Sequence, residues 1–66
     1  MNNVTINGKE EATEHSTILE MIKNKGYKTE HIVIEHNGII LHKTDWERVA
    51  IKDGDRIEIV GFVGGG

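Results

Sequence analysis

Apolar residues open the chain with a period of two and then change to a helical spacing. Val4-Thr5-Ile6 is a short β-prone run that ends at Asn7-Gly8. Both residues of an Asn-Gly pair tolerate positive φ, so the pair closes two-residue hairpins. The returning strand falls on residues 10–14 and is poor in apolar side chains. That composition makes it an edge strand or a short one, and charges on an edge discourage pairing with another chain. Ile18, Leu19, Met21 and Ile22 then line one face of a helix. Ser16-Thr17 opens that helix, Thr17 and Glu20 stand at capping-box spacing, and Gly26 ends it. A helix of about nine residues does not hold alone in water, so it must lean on a sheet.

The second half returns to strands. Ile32-Val33-Ile34-Glu35-His36 runs into Asn37-Gly38, and Ile39-Ile40-Leu41 is its hairpin partner. Residues 43–49 suit a turn of α- or 3₁₀-helix, and Asp53-Gly54-Asp55 makes a tight turn into the last strand. There Ile57 and Ile59 alternate with Arg56, Glu58 and Val60, the signature of a strand with one face on the core. The order β-β-α-β-β-(turn)-β predicts an α+β fold, a mixed sheet of four or five strands with one helix packed across it. The helix supplies a crossover long enough for the first and last strands to lie parallel at the sheet centre.

Composition narrows the function classes. Sixty-six residues make one domain, 1–66, and a chain this short buries only about 60% of its unfolded surface. With no cysteine there is no disulfide, no thiolate metal site and no thiol chemistry, a usage that suits a cytoplasmic protein. The opening residues lack the pattern of a signal peptide, and no run approaches the roughly 20 apolar residues of a membrane helix. A formal charge of −3, from 11 acidic and 8 basic residues, argues against nucleic acid. Lys23, Lys25 and Lys28 read as cations near a helix C-terminus.

Candidate chemistry among the side chains is sparse. His15, His31, His36 and His42 match no common ligand spacing, although His36 and His42 could face each other across the middle hairpin. Glu10, Glu11, Glu14 and Glu20 read as a solvated charge run, and Ser16 as a helix-start residue. No GxSxG elbow is present, and Asp53-Gly54-Asp55 lacks the remaining ligands of a calcium loop. Trp46 reads as a packing anchor under the crossover. The expectation is a protein with no metal, no cofactor and no catalytic site of its own.

What remains is the ending, Gly61-Phe62-Val63-Gly64-Gly65-Gly66. "NG" after the first strand, "STILEMI" in the helix, "EHNG" in the middle hairpin, "DW" in the crossover, "DGDRIEIV" and a terminal "GG" follow one another in this chain. In that order they resemble the ThiS family, the sulfur carrier proteins of thiamine biosynthesis. The proline that many members of the family carry soon after the middle hairpin is missing, the chain reading Leu41-His42-Lys43. The resemblance implies a ubiquitin-like β-grasp fold with residues 61–66 as a flexible C-terminal tail. It implies a protein cosubstrate: the Gly66 carboxylate is adenylated by an E1-like, ThiF-like enzyme and becomes a thiocarboxylate with sulfur from a donor enzyme. That sulfur then goes to a ThiG-like thiazole synthase. Gly64 and Gly65 would thread the tail into a narrow site, since glycine lets backbone approach closely. Phe62 and Val63 would dock against the partner. The small subunit of molybdopterin synthase shares the fold and the Gly-Gly ending but is usually longer. A non-covalent β-grasp interaction module with a linker tail is the remaining alternative.

Overall fold

The computed structural model describes residues 1–61. Strands β1 (Asn2–Ile6) and β2 (Lys9–Thr13) form the first hairpin, and helix α1 (Ile18–Asn24) follows. A 3₁₀ turn (Thr29–His31) leads to β3 (Ile32–His36) and β4 (Ile39–Leu41), and a second (Lys43–Asp45) precedes β5 (Arg56–Gly61). The five strands lie in the order β2-β1-β5-β3-β4. β1 and β5 are parallel, with Thr5 beside Arg56 and Ile6 beside Ile57, and the other pairings are antiparallel. The expected mixed sheet, with β1 and β5 adjacent and the charged second strand at an edge, is the one observed.

The two hairpins turn as Asn-Gly demands. Asn7 and Asn37 have φ of 50° and 51°, and Gly8 and Gly38 follow at 83° and 87°. Two successive positive φ values are the primed turn whose twist matches the flanking strands.

α1 is shorter than expected, seven residues, because Lys25 caps it and Gly26 leaves the helix at φ 84°. Its start differs from a reciprocal capping box. Thr17 Oγ1 accepts from the Glu20 N–H at 3.3 Å, but Glu20 Oε1 accepts from the N–H of Ser16, one residue before the cap. Two further N–H groups of the first turn find partners in the crossover. Ile18 donates to the Val49 carbonyl at 3.1 Å and Leu19 to that of Trp46 at 2.9 Å. The crossover thus does what no local residue can do for a helix N-terminus.

The core is one cluster. Val4, Ile6, Ile32, Ile34, Ile57 and Ile59 cover one face of the sheet, Ile18, Met21 and Ile22 come from α1, and Trp46 and Ile51 close it from the crossover. Trp46, 2% exposed, is the anchor its position suggested. β5 runs one residue further than expected. Gly61 pairs with Ile32, so the sheet's hydrogen-bonding register claims it from the segment assigned to the tail. Among the described residues no helix is long and apolar enough to cross a membrane.

Candidate functional site at the end of strand β5

β5 is the strand on which the candidate site depends, and it is held from both sides. On the β3 side the partners run from His36 beside Ile57 to Ile32 beside Gly61. On the β1 side the backbone pairing ends early, but the Asn7 side chain continues it. Asn7 Oδ1 accepts from the Ile59 N–H at 2.7 Å, and Nδ2 donates to the Ile59 carbonyl at 3.2 Å. Asn37, in the other hairpin turn, holds the start of β5: its Oδ1 accepts from the Arg56 N–H at 2.8 Å. Both turn asparagines thus spend a side-chain amide oxygen on the same strand.

Beneath the start of β5 sits a buried carboxylate. Asp55, 6% exposed, accepts from the Lys52 N–H at 2.8 Å and from Asn37 Nδ2 at 3.0 Å, and lies 2.9 Å from His36 Nε2. Burial alone would raise its pKa. The hydrogen bonds from Asn37, His36 and Lys52, together with the attraction of a charged His36, outweigh that and hold the carboxyl below its ordinary value. This pair corrects one expectation. His36 does not face His42 across the hairpin: the register sets it opposite Ile39, and His42 falls beyond β4. Among the described residues no group of histidines and acids could hold a metal ion.

On the face of the sheet away from α1, Val33 lies beside Val60 and Glu35 beside Glu58, with Ile40 next to Glu35. Val60 and Ile40 are 56% and 65% exposed. This apolar and acidic surface runs up to the last described residue, Gly61. Phe62, Val63, Gly64, Gly65 and Gly66, the residues singled out for docking, threading and modification, lie outside the described residues. Sequence reasoning missed Asp55 and the second task of Asn7 and Asn37. The signal for the asparagines was faint: Asn-Gly twice, where Asp-Gly or Gly-Gly would turn as well but would not offer both a donor and an acceptor.

One helix grasped by a five-stranded mixed sheet, its parallel central pair joining the first strand to the last, is a ubiquitin-like β-grasp domain. The comparisons with known proteins make the assignment narrower. A sequence model of the ThiS family matches residues 2–66, and the chain belongs to that family. It superposes on the crystal structure of the thiamine biosynthesis protein ThiS from Geobacter metallireducens with a TM-score of 0.81 at 31% identity, covering 97% of this chain and 99% of that one. An uncharacterized protein of Trieres chinensis, ycf40, is 39% identical over 62 residues, 92% of this chain and 85% of its own length. A thiazole synthase of Paramagnetospirillum magneticum is 36% identical over 64 residues, 96% of this chain but 20% of that protein. The chain therefore spans about a fifth of that relative's length.

Proposed function

We propose that residues 1–66 are a single carrier domain that transports sulfur for thiazole formation in thiamine biosynthesis, as a cosubstrate and not as an enzyme. The observation that carries this reading is the family match reaching Gly66, on a chain whose central strand is held by Asn37 at its start and by Asn7 at Ile59, shortly before its glycine-rich end. A terminal carboxylate is ionised at neutral pH and is a poor electrophile. ATP converts it to an acyl-adenylate with release of pyrophosphate. A sulfur nucleophile supplied by a donor enzyme displaces AMP, leaving a thiocarboxylate at Gly66. Gly64 and Gly65 give the segment a backbone thin enough to enter another protein's active site. Ordering such residues costs about 1–2 kcal/mol each, which docking of the folded body must offset. The reading is of a cytoplasmic carrier, in keeping with a chain that has no cysteine.

The partners under this reading are an E1-like adenylating enzyme, a sulfur donor enzyme and a thiazole synthase. The stretch shared with a thiazole synthase, and the likeness to a ThiS protein, support the thiamine pathway over molybdopterin synthesis. The test is chemical. Deleting Gly66, or appending one residue to it, is expected to abolish AMP-forming activation by the adenylating enzyme. Protein from its native host is expected to carry the mass of one oxygen-to-sulfur exchange at Gly66. Undiminished activation of both altered chains overturns the reading.

A further inference from the structure

The Asn7 backbone is the last part of the first hairpin to pair with β5, its N–H donating to the Ile57 carbonyl at 2.9 Å. At Gly8 the chain turns back into β2. The Asn7 side chain then takes over, with the contacts to both backbone groups of Ile59 described above. A primary amide offers the same donor and acceptor as a peptide group. Asn7 therefore acts as one extra rung of β1 and extends its ladder two residues along β5.

Among the described residues, β1 and β2 have no register partner for β5 beyond that point. Val60 and Gly61 are registered by β3 alone, through Val33 and Ile32. We propose that Asn7 is a positioning residue for the C-terminal segment. Its amide is the last anchor on the β1 side, and it holds β5 at Ile59, two residues before the last described residue, Gly61. The consequence for activation rests on the carrier reading. Five residues follow Gly61, and a chain of that length reaches at most about 17 Å. Under that reading the Gly66 carbonyl is tethered to β5 by those five residues alone, so a shift of β5 at Ile59 moves the anchor of the tether.

Few residues can do this at position 7. The φ of 50° favours asparagine, aspartate or glycine. Glycine keeps the turn and loses the clasp. Aspartate keeps an acceptor for the Ile59 N–H but sets a second carboxylate oxygen against the Ile59 carbonyl. Asn7→Gly thus separates the clasp from the turn, and Asn7→Asp restores half of it.

The experiment combines amide hydrogen exchange by NMR with activation kinetics on the full chain. In Asn7→Gly the Ile59 amide is expected to exchange roughly tenfold faster relative to the slowest core amides. The kcat for AMP-forming activation is expected to fall about tenfold, with KM within about twofold, because the docking body is unchanged while the terminus is misplaced. Asn7→Asp is expected to fall between wild type and Asn7→Gly in both measurements. An Ile59 amide that exchanges no faster in Asn7→Gly overturns the clasp. Faster exchange with undiminished kcat overturns the positioning role. A wild-type chain that is not activated at all overturns the carrier reading, and with it the consequence for catalysis, while the exchange measurement still decides whether Asn7 anchors Ile59.

Discussion

His36 Nε2 lies 2.9 Å from Asp55 Oδ2 and ties the end of β3 to the turn that launches β5. The carboxylate on the other side of that contact is buried and also holds Asn37 and the Lys52 N–H. Because its folded pKa lies below its ordinary value, the folded chain binds fewer protons than the unfolded one as acid is added. Its contribution to stability is therefore complete above about pH 4 and is lost as pH falls through the folded value. Asp55→Asn keeps the shape but removes the charge and one acceptor. It is expected to cost about 1–3 kcal/mol at neutral pH and to flatten the acid limb of the stability profile. Urea melts from pH 3 to 7 check this, and an acid limb identical to that of wild type would count against it.

Trp46 is a second buried group, in the crossover that closes the core. Its Nε1 is buried and has no hydrogen-bond partner among the described residues. An unsatisfied buried donor costs about 1–3 kcal/mol, and Trp46→Phe removes that cost along with part of the ring volume. The two effects oppose, so the net change is expected to stay within about 1 kcal/mol. Trp46→Ala removes the ring without compensation and is expected to cost about 3–5 kcal/mol, a large share of the stability of so small a domain. Chemical denaturation of both variants distinguishes an anchor that works by volume from one that works by its N–H.

The helix start offers a cleaner measurement, because its side-chain contacts are exposed. Thr17→Ala removes the acceptor of the Glu20 N–H and is expected to cost about 1 kcal/mol. Glu20→Ala removes the acceptor of the Ser16 N–H instead. The two contacts touch different backbone donors, so a double-mutant cycle is expected to show coupling below about 0.5 kcal/mol. A reciprocal box, in which Glu20 returned to Thr17, would couple them more strongly.

These elements also show what a sequence discloses. The alternation of Ile57 and Ile59 with charged neighbours, the Asn-Gly pairs and the Ile18–Ile22 stripe each report a local preference, and local preferences were enough to place the strands, hairpins and helix. Side-chain contacts across long separations were not legible. Asn7 and Ile59 are 52 positions apart, and Asp55 and His36 are 19 apart. Neither pair leaves a periodic trace, since one polar side chain in a turn looks the same whether it faces water or a strand. The Glu20 contact was misassigned by one residue for a related reason: spacing names the residues of a cap but not the N–H that each side chain reaches.

Phe62 follows β5 directly and lies outside the described residues. Under the carrier reading it belongs to the docking segment. Phe62→Ala is then expected to weaken binding to the adenylating enzyme more than it lowers folding stability. Pulldown and calorimetry on the same variant decide it, and a large drop in thermal midpoint with unchanged binding would return Phe62 to the core.

Glu35 and Glu58 stand directly opposite each other on the face of the sheet away from α1. Neither carboxylate takes part in an ion pair among the described residues, where the pairs are Lys25 with Glu11 and His36 with Asp55. Residues 62–66 bring no cation to them either. Like charges opposed across antiparallel strands destabilise the pairing, while opposite charges contribute about 0.2–1 kcal/mol. Glu58→Lys converts the first arrangement into the second, on a half-buried side chain that the core does not use. The variant is expected to be more stable than wild type by about 0.5 kcal/mol in low salt. Because the side chains remain open to solvent, the gain should shrink as ionic strength rises and the Debye length falls to about 3 Å at 1 M. A variant with the wild-type midpoint at both ionic strengths would mean that the two carboxylates already splay apart, and that the register sets them side by side without making them interact.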